Sequence, residues 1–463
     1  MKNIFKRKPS EFTTEYTVTN ALKKGDIMTK LSFLLLGAGN VARKQIAKGI
    51  IFLFTEICYI FYMINFGVDA LGELTTLGNY QKVEQWNEQK GFYEYVFIGT
   101  KSIEVLLYGV ATIFITLAFV AMWREAVKSA YKAQCLAMKG KHNNSFIEDI
   151  KDLFNVNLHK LLLTFPIIGI LTFTVLPLVF MILMAFTNYS DDTSDATNHL
   201  NKFDWVGFDS FGEVLNLSGN IGEQFWSVLV WTIIWAIFAT LLNYFFGMII
   251  AIVINRKGTR FKSMWRFNFI LSIAIPQFVS LLIMRTLLND NGAFNNLLMD
   301  WGLIDKALPF WSNATWARVT VIIVNLWVGI PYTMLQITGV LQNIPAELYE
   351  AAKVDGANAV VTFFKITLPY MIFVTTPYLI TTFTGNVNNF NVIYLLTGGG
   401  PSNVGNTAGE TDLLVTWLYK LTIDKYDYNI GAVIGIMTFV VLAIVSLVTY
   451  RSTGSYKDEE GFQ

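Results

Sequence analysis

Charge is what this chain has least of. Only 15% of its 463 residues are Asp, Glu, Lys or Arg, against 53% hydrophobic and 15% aromatic. Soluble domains carry about 25% charged residues, so a water-facing surface over most of the chain is excluded. Cysteine is nearly absent: Cys58 falls in a hydrophobic run and Cys135 in a basic segment. They are not placed to pair, and no structural disulfide is expected. The first 30 residues are polar and basic, without the apolar stretch of a cleavable signal peptide. No G-x-x-x-x-G-K-[ST] phosphate loop occurs, so ATP hydrolysis is not expected of this polypeptide.

Long uncharged runs are what the chain has in plenty. A hydrocarbon core about 30 Å thick takes about 20 residues of helix. Eight stretches qualify, approximately 48–67, 102–123, 161–186, 225–254, 267–288, 317–341, 370–396 and 429–449. The expected fold class is all-α, a polytopic membrane protein with about eight transmembrane helices. Its basic residues are segregated. With the N-terminus inside, cytoplasmic segments hold 26 Lys and Arg and outer loops 7, while Arg285 and Arg318 lie near outer helix ends. Loop 187–224 carries seven acids and one Lys, and "NRKGTRFKSMWR" (255–266) carries five bases and no acid. An even span count with this bias places both termini in the cytoplasm.

Five regions follow: a basic cytoplasmic segment 1–47; a two-helix membrane hairpin with a basic loop, 48–160; a third span and acidic outer loop, 161–224; a membrane core, 225–452; and a cytoplasmic tail, 453–463. No outer loop exceeds about 40 residues, which leaves no room for an extracellular domain of ordinary size. "GAGNVA" (37–42) matches the dinucleotide-binding G-x-G-x-x-A in form, but no β-strand unit precedes it and a span follows, so that reading is set aside. Glu56 lies within the first span. A lone intramembrane acid suggests function, a partner across a helix contact explains it equally well, and no role is assigned.

The link between spans six and seven reads "NIPAELYEAAKVDGANAVVTFFKITLPY" (343–370). Pro345 suits a first helical position, good helix formers follow, and Gly356 suits a left-handed terminator. "ANAVVTFFKI" restarts a helix that Leu368–Pro369 leads into the membrane. A short helix bearing exposed Leu348, Ala351, Ala352 and Val354 is suited to docking into a partner's groove.

Glu350-Ala351-Ala352, Gly356, then Ile366, Leu368 and Pro369 resemble the EAA loop of binding-protein-dependent ABC importer permeases. The resemblance covers about residues 225–450 and implies the type I ABC importer permease fold. It also implies that Glu350, Ala351, Ala352, Asp355, Gly356, Leu368 and Pro369 couple this chain to an ATPase subunit, which binds the ATP; the chain itself is expected to hold no cofactor or metal. "NVNNFNVIYLLTGGGP", "GETDLLVTWLYKLT" and "NLWVGIPY" are similar to the larger, MalF-type permease subunit of maltose/maltodextrin importers, in the Gram-positive form without the large insert between spans three and four. That implies a bacterial cytoplasmic membrane protein with four kinds of partner: a second, MalG-like permease, two copies of an ABC ATPase, an extracellular sugar-binding protein and membrane lipid. Nucleic acid is not among them.

Polar residues cluster near mid-span. Gln277 follows Pro276 in span five; Asn325, Gly329 and Tyr332 stand at i, i+4, i+7 in span six; Thr382, Asn386 and Asn389 repeat that spacing in span seven. Pro276 and Pro331 are expected to break the helices at that depth, where irregular backbone is tolerated if it lines a cavity. Amides and hydroxyls both donate and accept, and Tyr332 adds a flat ring, which suits a neutral polyhydroxylated sugar. No acid or base sits at this depth in spans five to seven, against a charged substrate. Interhelical polar bonds average about 0.6 kcal/mol, a weak reason for so many amides, so Asn386 and Asn389 are read as lining residues and Asn388 and Asn391 as helix–helix ties. The resemblance carries sugar contacts onto Gln277, Asn325, Gly329, Tyr332, Thr382, Gly385, Asn386 and Asn389. Gly385, Ile273 and Gln277 depart from the aromatic, tyrosine and serine of the family's type member, which bears on which sugar is taken.

Maltose/maltodextrin-type import is therefore the reading, with raffinose-type or other oligosaccharides as alternatives. A secondary sugar transporter would leave the EAA-like loop unexplained and lacks a membrane-centred acid pair. A membrane glycosidase would need two carboxylates about 5–10 Å apart, which the polar cluster does not contain.

Overall fold

The computed structural model describes residues 16–88, 90–190, 202–256 and 258–452. The expected tail at 453–463, the first 15 residues and 191–201 of the acidic loop lie outside them. The chain divides into two compact units, Met1–Trp205 and Val206–Gln463.

In the first unit, three short helices, α1 (Val18–Lys24), α2 (Ile27–Leu31) and α3 (Ala38–Val41), precede the first span. That span is α4 (Ile46–Tyr62), continued through a single π-turn into α5 (Val68–Glu73). A 37-residue helix, α6 (Ser102–Met138), is the second span; α7 (Phe146–Phe154) is a short surface helix; α8 (Leu158–Ile170) and α9 (Leu176–Met184), joined by another π-turn, form the third span. Ala21 packs with Val127, Tyr131 and Cys135, seating α1 on α6. The Glu56 carboxylate, buried, accepts the Leu36 backbone N–H at 2.8 Å, so the intramembrane acid has a local partner. "GAGNVA" forms α3 and its flanks, and no strand precedes it among the described residues.

The loop of the first hairpin holds one feature absent from the all-α expectation. β1 (Gln81–Asn87) and β2 (Phe92–Ile98) pair antiparallel, with Gln81 opposite Ile98 and Asn87 opposite Phe92. The chain remains predominantly helical.

The second unit comprises α10 (Asp209–Leu215), α11 (Asn220–Asn255), α12 (Lys262–Ala274), α13 (Gln277–Leu287), α14 (Ala293–Asp300), α15 (Ala314–Gln342), α16 (Ala346–Val354), α17 (Ala359–Thr362), α18 (Leu368–Val387), α19 (Phe390–Leu396), α20 (Leu414–Tyr419) and α21 (Tyr428–Ser452). Helix α11 is its axis and packs on both α15 and α18. One apolar cluster joins Trp231, Trp235, Ala236 and Ala239 of α11 to Val321 and Val324 of α15 and to Val387, Val392 and Ile393. A second joins Tyr244, Met248, Ala251 and Ile254 to Met334, Ile337 and Met371. Among the described residues seven helices, with α4–α5, α8–α9 and α17–α19 each counted as one, are long and apolar enough to cross a membrane; the pair α12–α13, bent by 86°, makes eight if it is taken as one broken span.

Candidate functional site

Two of the spans in the second unit are interrupted where the polar residues lie. Ile275 and Pro276 take extended backbone between α12 and α13, and Gln277 opens α13. Span seven breaks after Asn388; Asn389 caps α19, its side-chain oxygen accepting the Val392 N–H at 3.3 Å. Helix α13 packs against α19 and α15, and α15 packs against α18 and α19, so the four segments bearing the candidate residues are neighbours. Pro331 does not behave as expected. It sits inside an unbroken α15, buried among its neighbours; proline removes one helical hydrogen bond, and packing holds the helix through it.

The polar residues then divide. Tyr332 is 52% exposed, Gly385 is exposed, and Gln277, Thr382 and Asn389 are half-exposed. Asn386 is 8% exposed, and its side-chain nitrogen donates to the Thr240 hydroxyl at 2.9 Å while its backbone carbonyl accepts the Trp235 indole N–H at 3.0 Å. Within the chain Asn386 thus ties α18 to α11. Asn388 and Asn391, expected to tie helices, are exposed, and the Asn388 side chain donates back to the Thr384 carbonyl of its own helix at 3.4 Å. A 3.6-residue period assigns a face but not what stands opposite it.

Sequence reasoning also missed Asn243. It is buried on α11 and donates to the Ala239 carbonyl at 2.7 Å. A Cβ on Gly329 would come within 2.2 Å of its amide, so glycine is what lets α11 and α15 approach here. The Asn243 side-chain oxygen and the Asn325 side-chain nitrogen are both buried with no hydrogen-bond partner among the described residues. An orphan acceptor and an orphan donor mark this seam as polar and incompletely satisfied, a condition that costs about 1–3 kcal/mol per group. Two further cross-helix bonds border the layer: Tyr244 to Thr375 at 2.7 Å and Thr333 to Tyr378 at 3.4 Å.

The loop at the basic end matches its reading in shape. Pro345 stands immediately before α16 rather than within it. Gly356 has φ +74, Ala357 N–H bonds the Ala352 carbonyl at 2.9 Å and Gly356 N–H bonds that of Lys353 at 3.2 Å. This pair of bonds is the Schellman arrangement, which requires a left-handed residue at the corner. Asn358 then caps α17, and Tyr349 meets Thr367 at 3.1 Å, pinning α16 to the start of span seven. Leu348, Ala351, Val354, Glu350, Asp355 and Pro369 are exposed, and Leu368 is half-buried. Ala352, expected on the exposed face, is buried, on the same short helix as Tyr349, which packs against the apolar cluster that includes Ile344.

At the other end, the segment between α19 and α20 is fastened by charge. Arg318 bonds both the Glu410 carboxylate, at 2.9 Å, and its backbone carbonyl, and lies 5.0 Å from the Trp231 ring centre. Asp412, wholly buried, pairs with Lys420 at 2.6 Å and accepts the Gly409 N–H and the Thr416 hydroxyl. Burial pushes the Asp412 carboxyl up, against the opposing pull of Lys420.

Interrupted helices, a half-exposed polar face and a helix–corner–helix loop at the basic end are the features of a membrane transport permease. The chain belongs to the family of binding-protein-dependent transport system inner membrane components, whose profile matches residues 243–454. It is 34% identical to the galactooligosaccharides transport system permease protein GanP of Bacillus subtilis over 92% of this chain and 97% of that protein. It is 30% identical to the maltodextrin transport system permease protein MdxF of the same organism, over 96% and 99%. The maltose/maltodextrin transport system permease protein MalF of Escherichia coli is 37% identical over 54% of this chain and 49% of that protein. A crystal structure of a bacterial ABC transporter involved in the import of the acidic polysaccharide alginate has the same fold over 65% of this chain and 96% of its own, with TM-score 0.53 at 23% identity. The protein is thus a multi-pass permease of the bacterial cytoplasmic membrane, a subunit of an ABC sugar importer, and ATP hydrolysis belongs to a separate subunit.

Proposed function

We propose that this permease forms one half of a pathway for neutral oligosaccharides of the maltodextrin type. The observation that carries the reading is the face made by Gln277, Tyr332, Thr382, Gly385 and Asn389: polar or aromatic side chains beside a glycine, half to fully exposed at mid-span, with no ionised side chain among them. Amides and hydroxyls left facing hydrocarbon would be costly, so this face is lined by water and sugar and closed by a second, MalG-like permease. Asn325, Gly329 and Asn386 hold the face from behind. On the opposite side of the cycle, Glu350, Ala351, Asp355 and Gly356 dock α16 on one of two ATPase copies, while Ala352, Leu368 and Pro369 transmit its movement into α18. The ATP is the partner's; this chain holds no cofactor. An extracellular sugar-binding protein delivers the substrate.

A galactooligosaccharide reading stands second. GanP, at 34%, is somewhat more similar than MdxF, at 30%, and Gly385 and Ile273 remove aromatic stacking surface while Gln277 lengthens the polar side chain. The discriminating experiment is ATP-dependent uptake by the assembled transporter in liposomes, offered maltodextrins, galactooligosaccharides and acidic alginate oligomers. Maltodextrin uptake above the other two supports the proposal. Preference for galactooligosaccharides moves the substrate to the second reading, and uptake of the acidic oligomers alone would overturn the neutral pathway.

A further inference from the structure

The first unit contains a cleft of about 580 Å³ lined by none of the residues proposed for the transport pathway. Its walls come from the start of α4, the last third of α6, α7 and the start of α8. Four lysines reach it: Lys48, Lys128, Lys132 and Lys160. Three carboxylates also line it. Asp149 pairs with Lys48 at 3.0 Å and Glu125 with Lys128 at 2.7 Å, and Asp152 accepts the Asn144 amide at 2.8 Å. Lys132 and Lys160 are exposed and carry no ion pair among the described residues, leaving two unpaired lysines in the lining of one cleft.

Their level in the membrane follows from the sequence. Lys48 and Lys160 stand at the third residue of helices that begin spans one and three, and Lys128 and Lys132 near the end of span two. These ends share one face of the bilayer, the face that the positive-inside bias assigns to the cytoplasm. The apolar part of the cleft belongs to Phe52, Phe146 and Ile150. Helix α7 carries the last two, and its Ile147 and Phe154 are 65% and 63% exposed. Its charged residues, Glu148, Asp149, Lys151 and Asp152, take the other faces, the pattern of a helix lying in the interface plane.

We propose that this cleft holds the headgroup of an anionic phospholipid from the surrounding leaflet, the phosphate between Lys132 and Lys160 and an acyl chain along Phe146 and Ile150. Basic clefts between spans on this side favour a net negative headgroup; a zwitterionic one would bring its own cation against the two lysines.

The test uses the full chain purified with its partner subunits, with bound lipid counted by native mass spectrometry after incubation in phosphatidylglycerol or phosphatidylcholine. The expected result is retention of phosphatidylglycerol by the wild type and by the Lys132→Arg/Lys160→Arg pair. A loss of more than about tenfold is expected in Lys132→Gln/Lys160→Gln, since each lysine near an anionic surface contributes severalfold. Soluble glycerol phosphate should not displace the lipid. Equal retention of phosphatidylcholine, undiminished phosphatidylglycerol in the glutamine pair, or displacement by glycerol phosphate would each overturn the site. Transport specificity does not enter any arm, so the outcome is independent of the sugar.

Discussion

Asn386 and Thr240, 146 residues apart in sequence, meet side chain to side chain at 2.9 Å in the interior of the second unit. The bond links the helix that carries the polar face to the axis α11, and the carbonyl of the same asparagine receives Trp235. An amide in the middle of a span is thereby employed in holding a helix in register.

Replacing Asn386 by Leu strands the Thr240 hydroxyl, a buried group whose lost partner costs about 1–3 kcal/mol. The expected outcome is lower thermal stability and membrane abundance. Thr240→Val alone should show a similar deficit, and the double variant should recover part of it. Strict additivity of the two would remove the bond from the account.

Gly329→Ala drives a methyl to within 2.2 Å of the Asn243 amide. Overpacking a tight seam costs about 1–3 kcal/mol, so abundance should fall. Adding Asn243→Ala opens the space and removes the orphan oxygen, and should restore it. If the single change leaves abundance at the wild-type level, the close approach of α11 and α15 is misplaced.

The corner at Gly356 makes a different prediction. A Cβ there meets no atom within 4 Å, yet φ is +74. An L-residue in this region costs about 1–2 kcal/mol, paid locally and not by the membrane core. Gly356→Val should leave the protein in the membrane and sharply reduce ATP hydrolysis stimulated by the sugar-loaded binding protein. Normal stimulation would exclude this corner from coupling.

Much of this was legible in the sequence. Hydropathy located the long apolar helices, though α6 runs on to Met138, well past the expected end at 123, and Gly356 announced its corner because few other residues take that backbone. Gln277 and Asn389 fell at helix breaks, one flagged by Pro276. The pairing of Asn386 with Thr240, the Gly329–Asn243 approach and the burial of Ala352 were not legible. Each depends on a neighbour brought in from another helix, which spacing within one helix does not reveal. The β-hairpin is half legible: "FYEYVFI" is a run of strand formers, whereas "QKVEQWN" carries only Val83 and Trp86 of that kind and owes its strand to the partner it pairs with.

Lys420 and Asp412 supply a pH-dependent test. Removing one partner of a buried ion pair costs about 3–5 kcal/mol, so Lys420→Met should destabilise the protein, and Lys420→Met/Asp412→Asn should be less affected. Because burial raises the Asp412 carboxyl above its unfolded value, the associated stability is fully present below the ordinary carboxylate range and is lost as pH rises through the folded value. The Lys420→Met deficit should therefore grow from acid to neutral pH in thermal melts; a deficit that shrinks over that range would contradict the assignment.

The most direct test of the central claim, that a neutral oligosaccharide passes along the face of Gln277, Tyr332, Thr382, Gly385 and Asn389, is thiol labelling protected by sugar. In a background carrying Cys58→Ser and Cys135→Ser, Gly385→Cys is introduced, the transporter is assembled with its partners, and the labelling rate is measured with and without maltodextrin under ATP-trapped conditions. The account predicts accessibility without sugar and a severalfold slowing with maltodextrin, while an acidic oligosaccharide has no effect. A labelling rate unchanged by any neutral sugar the transporter imports would place the pathway elsewhere.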